Sequence, residues 1–371
     1  MLAAFSCTLY SQRIPESILK IGLLQNVASF NMSGQGHYYL YEIATGNKTD
    51  IAPMNDYLVR GNGTYLELDG KRYASPVRIV SESNEDRLRI NGRRYRDNIF
   101  ISCKEGKIIV INELGIEGYL YGILPCEVDP KWHPESLKAQ AVVSRTYALR
   151  NLRRHESSGF DLCNQTHCQV FGGVESEDPR TNAAVDATAG EVLTYEGKLA
   201  QTLFHASCSG HTENPRYVWN WDNIPPAYLE GRKDKYCLNS PHQSWKNTIS
   251  ADVIRKRLNK AGYKVGAIKS IQLSGKTSSG RTRHVVIKHA SGKISVPAAK
   301  FRTAVDTWLI KSAKLLKVSR SGNSFRFAGN GWGHGVGMCQ WGAKVMAEKE
   351  HEYADILEFY YPGTQVEKWE E

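Results

Sequence analysis

The sequence predicts an α+β protein with a β-rich core, a long helix after a Pro-flanked acidic segment, and an inserted α+β subdomain. Three observations carry this. Strand-like runs with turn signals between them follow one another closely from about residue 18 to 117. One long helical period starts at Pro134. From about residue 229 to 315 the chain turns basic and has a helix–strand pattern of its own. At 371 residues the chain is long enough for a sizeable core and for one large or two modest domains.

The β-rich part rests on Ile18–Leu24, His37–Tyr41 and Ile108–Ile111. Turns at Gly61-Asn62-Gly63 and Asp69-Gly70 punctuate it. Short strands at this spacing suggest a curved antiparallel sheet or barrel-like module. Next, Pro134 suits the first turn of a helix and Glu135 suits its positive end. Leu137, Ala141, Ala148 and Leu152 recur at helical spacing, so the helix is expected to run to about Arg154. A Cys/His-rich loop follows, then a short helix near Arg180–Ala189. Glu191–Tyr195 and Gln201–Ala206 read as paired strands across Glu196-Gly197-Lys198. The basic segment has a helix near Ser250–Gly262, capped by Ser250, and strands near Ile268–Leu273 and His284–His289. A glycine-dense loop at Gly329–Gly342 then leads into a helix near Ala343–Lys349. The expected division is a leader or mobile segment at 1–17, a core of 18–228 and 316–371, and an insertion at 229–315.

Composition narrows the function classes. Hydrophobic residues make up 41% and charged residues 23%, an ordinary globular balance. No apolar run approaches the roughly 20 residues of a membrane span. Forty-eight Lys+Arg against 38 Asp+Glu leave +10, which favours polyanions: nucleic acid, anionic lipid or anionic cell-wall polymer. The eight cysteines are too dispersed for a disulfide-stapled scaffold and suggest mixed use, as metal ligands, buried thiols or one disulfide. Met1–Cys7 is short, apolar and ends in small residues and a Cys. It reads equally as the stub of a secretory or lipoprotein signal, hence a possible membrane tether, or as an ordinary mobile start.

Three places carry chemistry. Glu127 lies in Leu124-Pro125-Cys126-Glu127-Val128-Asp129-Pro130, between an expected strand end and a helix. An apolar setting raises a carboxyl pKa, as a general acid needs. A solvated loop carboxylate or an ion-pair partner of Arg145 is the plainer reading of that stretch alone. His155, Cys163, His167 and Cys168 can supply a tetrahedral zinc site, with a Cys163–Cys168 disulfide or unrelated thiols as the alternatives. Gly329–Ala343 holds alternating glycines and opens a helix, which permits close backbone approach and an acidic or sugar group at the helix start. It lacks the Lys-Ser/Thr ending of a nucleotide loop. His334 and Cys339 there also suggest a thiol nucleophile with its base. The alternative is a tightly packed loop-to-helix turn.

Taken together, Tyr121–Glu127, Leu137–Ala148, Phe204–Asn214 and Gly331–Ala343 resemble the stage II sporulation protein D family of peptidoglycan lytic transglycosylases. The resemblance covers about residues 18 to 365. Cys126, Cys208 and Cys339 stand where the family often has Ser or another small residue. It implies a catalytic role for Glu127, which would protonate the glycosidic oxygen between N-acetylmuramic acid and N-acetylglucosamine. It would then accept the proton of the muramic acid 6-hydroxyl, giving a 1,6-anhydro end. An internal nucleophile lets one carboxyl serve both steps, where a standard glycosidase uses two. The resemblance further implies zinc on His155, Cys163 and Cys168, with His167 as substitute, in a structural or positioning role. It implies a sugar cleft lined by Gln140, Arg145, Ser207, His334 and Gln340, although Gln140 and Arg145 read equally as structural. The expected partners are glycan strands and a cell-wall amidase that strips their stem peptides, with no nucleic acid, and the expected place is the periplasm or cell envelope. The competing readings are a zinc-dependent peptidoglycan amidase or peptidase, a non-catalytic glycan binder and a Cys339/His334 thiol hydrolase.

Overall fold

The computed structural model describes residues 18–51, 54–83, 87–219, 221 and 224–369. The expectations for residues 1–17, including Cys7 as a lipid site, lie outside the described residues. The fold is mixed α+β and rich in strands. Contacts divide it into two units. The first takes the described chain up to Glu127 and then Asn151–Asn182; the second takes Val128–Arg150 and Ala183–Trp369.

In the first unit, alternating burial builds two sheets. The seven-stranded one runs in the order Leu162–Cys163, Ile18–Val27, Lys107–Gly115, Asn98–Lys104, Val77–Ser81, Tyr38–Glu42 and Lys48–Ile51. Its neighbours are antiparallel except Leu162–Cys163, which lies parallel to the first strand with Ile21 beside Leu162. Leu19, Ile21, Ile99, Ile101, Ile108 and Val110 are buried on it. A six-stranded sheet carries the hairpins, and the Asp69-Gly70 turn joins Tyr65–Leu68 to Lys71–Ala74 as expected.

One element differs from the sequence reading at a chemically relevant place. Glu127 does not follow a strand; it is the last residue of helix α1, Ile116–Glu127. Tyr119, Leu120, Ile123 and Leu124 form its buried face, at spacing typical of a helix.

In the second unit α2 spans Pro134–Arg150, four residues short of the expected end. The chain turns there: Arg153 has φ +63°, and its N–H donates to Asp161 Oδ1 at 3.0 Å. Helix α3, Pro179–Ala187, begins in the first unit and ends in the second. The expected hairpin is shorter and differently partnered. Glu191–Tyr195 pairs with Lys198–Leu199 and, on its other side, with Gln365–Lys368. Of the second expected strand, Gln201–Ala206, only Phe204–His205 is a strand, and it pairs in parallel with Met338–Cys339 of the glycine-rich segment. Beyond Leu199 the Gln201 N–H leaves the hairpin and donates to the Tyr228 hydroxyl at 2.7 Å.

Helix α4, Ala251–Lys260, is capped by Ser250, whose Oγ accepts from the Val253 N–H at 3.2 Å. It packs with α5, Ala298–Val305, against the sheet Ile268–Lys276, Thr282–His289 and Gly292–Pro297. Trp245, Ile254, Leu258, Val285, Phe301 and Phe327 belong to one apolar cluster there. A separate cluster joins α2 to α6, Gln340–Ala347, and α7, Tyr353–Tyr360, through Val142, Val143, Met346 and Leu357. Among the described residues no helix is long and apolar enough to cross a membrane.

Candidate functional site

Glu127 ends a helix whose other side chains are mostly apolar. Burial pushes its carboxyl above the usual carboxylate range, and the Val170 N–H, 3.5 Å from Oε1, pulls the other way. The first effect is the larger, so the protonated form is favoured relative to a free glutamate.

The loop that supplies Val170 is clamped to α1. The Gly172 N–H donates to the Gly122 carbonyl at 2.9 Å, and Ser176 Oγ donates to the same oxygen at 3.0 Å. The Phe171 ring lies on Gly122, where a Cβ would stand 2.4 Å from it. Tyr119 and Tyr95 flank that ring at centroid distances of 5.2 and 5.9 Å. Two ion pairs, Arg94–Glu175 at 2.7 Å and Arg96–Glu177 at 2.5 Å, fasten the same stretch to the sheets.

Two residues before Val170 the loop carries Cys168, part of a cluster with His155, Cys163 and His167. Their ligand atoms all lie within 4.8 Å of one another. His155 Nε2 is 3.3 Å from Cys168 Sγ, and His167 Nδ1 is 3.6 Å from Cys168 Sγ and 3.9 Å from Cys163 Sγ. Cys163 is fixed by its strand pairing with Gly22, and the His155 ring stacks on Phe160 at 4.9 Å. Both thiols are free, so the disulfide alternative is not formed. Two sulfurs and two imidazoles this close fit a tetrahedral zinc-class ion. His155, Cys163 and Cys168 therefore converge, and His167 joins them as a fourth donor instead of replacing His155.

The other expected site residues belong to the second unit. The Gln140 Nε2 donates to Ser144 Oγ at 3.1 Å, and Gln340 Nε2 donates to Gln140 Oε1 at 3.3 Å, so these two meet. Arg145 is fully buried; Nη1 donates to the Glu191 carbonyl at 2.9 Å and Nη2 to the Val185 carbonyl at 3.3 Å. Ser207 is buried with its Oγ 3.1 Å from Cys237 Sγ. His334 packs on Trp219 at 5.0 Å and on His205 at 5.6 Å. Burial and the neighbouring His205 hold its pKa well below the usual range, so its ring is neutral. Its Nδ1 accepts from the Val336 N–H at 3.1 Å. Cys339 is buried with its sulfur 3.2 Å from Cys237 Sγ.

The glycine density has a steric cause. A Cβ on Gly337 would stand 1.9 Å from the Leu203 carbonyl oxygen, and one on Gly335 2.3 Å from Arg281 Nη2. Both have positive φ, +67° and +91°. The loop thus lies directly on Leu203 and on the Arg281 guanidinium, which side chains at these positions would prevent.

Sequence reasoning missed a line of rings in this unit. Trp132 meets Trp341 at 5.4 Å, Trp341 meets His242 at 6.2 Å, and His242 meets Trp332 at 4.7 Å. Trp332 in turn meets Trp308 at 5.1 Å. Trp308 is 69% exposed, and Lys311 Nζ sits 4.5 Å over the Trp332 ring. A separate cavity of about 480 Å³ is lined by Arg216, Tyr217, Trp219, Arg283 and Lys300, among others. Such aromatic and cationic surfaces suit sugar rings with acidic substituents. The tryptophans were visible in the sequence, but they come from three separate segments.

A family model described as "Stage II sporulation protein" matches residues 104–195, and a model of a domain of unknown function matches residues 226–337. The chain is 33% identical over 362 residues to an uncharacterized protein of Brachyspira hyodysenteriae, covering 95% of this chain and 93% of that one. It is 30% identical over 366 residues to the amidase enhancer of Bacillus subtilis, covering 85% of this chain and 50% of the relative. Stage II sporulation protein D of Bacillus subtilis is 28% identical over 271 residues, covering 69% of this chain and 75% of the relative.

Proposed function

Because the chain belongs to the stage II sporulation protein D family, we propose that it is an exported lytic transglycosylase acting on peptidoglycan glycan strands. The observation that carries this reading is the carboxyl of Glu127, raised by burial yet within reach of one backbone N–H. Burial holds the proton that must pass to the glycosidic oxygen. The Val170 N–H supports the carboxylate left behind. That carboxylate then takes the proton of the muramic acid 6-hydroxyl as its oxygen attacks the anomeric carbon. The glycosidic bond breaks, the C1–O6 bond forms, and the acid is restored.

His155, Cys163, His167 and Cys168 would hold zinc, which would act there as a structural cross-link in the loop before Val170. The chain's own contribution is to keep Val170 and Phe171 seated on α1. Of the expected cleft residues we place substrate contact on His334, with the buried Gln140, Arg145, Ser207 and Gln340 supporting the wall behind it, and add the ring line from Trp132 to Trp308 as a stacking surface. The basic cavity supports affinity for an anionic wall polymer, weakening as salt screens it. We also retain 229–315 as an insertion in a core of 18–228 and 316–371, with the apolar cluster around Phe301 reaching past its end to Phe325 and Phe327.

The name of one relative, amidase enhancer, favours a second reading, in which the chain assists an amidase by binding glycan without cutting it. Mass spectrometry of products from intact and amidase-stripped sacculi separates the two. Anhydro-muramoyl ends from the wild type and none from Glu127→Gln is the expected result. Sacculus binding without new ends would favour the enhancer reading, and reducing ends would mean ordinary hydrolysis.

A further inference from the structure

The second unit buries a group of side chains that the transglycosylase chemistry does not use. Cys208, Asp234, Cys237 and Cys339 are each 0% exposed, and their ligand atoms all lie within 4.8 Å of one another. They come from three places in the chain. Cys339 ends the strand Met338–Cys339, and Cys208 follows the parallel strand Phe204–His205. Asp234 and Cys237 flank the start of a short turn at Tyr236–Asn239. Their spacing, Asp-x-x-Cys, places two donors on one turn as Cys-x-x-Cys does in zinc knuckles.

The polar contacts suit ligated sulfurs. The Cys208 N–H donates to Cys339 Sγ at 3.2 Å and the Ser209 N–H to Cys237 Sγ at 3.4 Å. Asp234 Oδ1 accepts from the N–H groups of Tyr236 and Cys237 at 3.0 and 3.2 Å. Oδ2 is 3.1 Å from Cys208 Sγ and accepts from the Tyr360 hydroxyl at 2.9 Å. Cys237 and Cys339 approach to 3.2 Å between sulfurs. A disulfide there would use two of the four groups and leave Cys208 and Asp234 in the dry interior.

We propose that Cys208, Asp234, Cys237 and Cys339 form a second metal site, a closed tetrahedral centre for a zinc-class ion, distinct from the one in the first unit. Three thiolates and a carboxylate around a dication leave two negative charges, which a buried site must offset. Two cations lie on its backbone frame. Arg281, itself 2% exposed, donates from Nη2 to the Cys208 carbonyl at 3.2 Å and from Nη1 to the His211 carbonyl at 2.8 Å. Lys314 Nζ donates to the Ser209 carbonyl at 2.6 Å. Four protein ligands leave no position for water, so the ion would be structural. It would tie the 205–209 segment and the 234–237 turn to the start of α6, at the end of the glycine-rich loop.

The test is metal stoichiometry on the full chain, purified without chelator. Wild type is expected to hold two zinc ions per chain, and Cys163→Ser/Cys168→Ser to keep one. Cobalt substitution of that variant should give tetrahedral d–d bands and thiolate-to-cobalt absorption scaled to three sulfurs. If the variant fails to fold, titrating apo wild type with cobalt should show two sites with five thiolate bonds in total. A single site with two thiolate bonds would overturn the proposal. So would a Cys237–Cys339 disulfide found by non-reducing peptide mass spectrometry.

Discussion

Replacing Gly122 by alanine sets two opposing effects against each other on one helix. Alanine favours an exposed helix interior by about 1 kcal/mol over glycine. At Gly122 the new Cβ would stand 2.4 Å from Phe171 Cε2 and 2.8 Å from Cδ2. Ordinary carbon contacts begin near 3.5 Å, so the ring must retreat by about 1 Å. Tyr119 and Tyr95 flank it, and Gly172 beside it is bonded to the Gly122 carbonyl at 2.9 Å. Overpacking of this kind costs about 1–3 kcal/mol, and the flanked ring argues for the upper half. The net expectation is a loss of about 1–2 kcal/mol.

Gly118, in the first turn of the same helix, is the control. A Cβ there meets no atom closer than 3.6 Å, so Gly118→Ala should be neutral or stabilising by up to about 1 kcal/mol. Urea melts of both variants against wild type, analysed by linear extrapolation, read the difference in sign. Gly122→Ala should also release fewer anhydro ends while folded, because Val170 moves with Phe171. If Gly122→Ala stabilises as much as Gly118→Ala, Phe171 does not rest on α1, and the support proposed for Glu127 fails with it.

Glu127→Gln should abolish anhydro-end formation yet stabilise the fold at neutral pH. The folded state holds the Glu127 proton above the unfolded pKa, so wild-type stability falls as pH rises through the raised folded value. The variant's advantage should therefore grow from acid to neutral pH and vanish in acid; an advantage independent of pH would refute the burial argument. Activity should fall in the same direction of pH as the acid loses its proton, which a pH–rate profile checks. Arg145→Ala takes a donor from the Glu191 carbonyl, at about 1–3 kcal/mol if that oxygen is left buried and unpaired; the Val185 carbonyl keeps the Thr188 N–H at 3.1 Å. A large loss in thermal melts with unchanged product per folded molecule would mark it as structural. Cys163→Ser/Cys168→Ser should lower zinc content and anhydro-end yield together; loss of zinc with full activity would separate the loop from catalysis. Trp332→Ala should weaken sacculus pull-down without lowering stability by more than its packing warrants.

Much of the β-rich part was legible because its signals are local. Ile18–Leu24 and Ile108–Ile111 are apolar runs bounded by turn residues, and they lie on neighbouring strands with Gly22 beside Ile111. Ser250 could be read as a cap from its place before a helical pattern, and it is one. Helix α1 was hidden although Tyr119, Leu120, Ile123 and Leu124 follow helical spacing, because Gly118, Gly122 and Pro125 read as breakers. Tertiary contact explains the glycine at 122, which makes room for Phe171. The expected hairpin failed because Phe204–His205 pairs with a strand more than a hundred residues away, and local patterning does not encode such partners. For the same reason His155, Cys163, His167 and Cys168 stood out within fourteen residues, while Cys208, Asp234, Cys237 and Cys339 did not.

The path of the chain between its two units bears on how the molecule can be made. The backbone passes from one to the other after Glu127, returns at Asn151 and leaves again after Asn182. All three passages fall within residues 104–195, the stretch matched by the family model. Neither unit is therefore a continuous cassette that can be excised or grafted whole. In order of synthesis, the first unit has all its described parts once residue 182 has emerged. The second cannot finish until Gln365–Lys368 arrives to pair with Glu191–Tyr195. A chain stopped before Gln365 would leave the Glu191–Tyr195 edge of that sheet open.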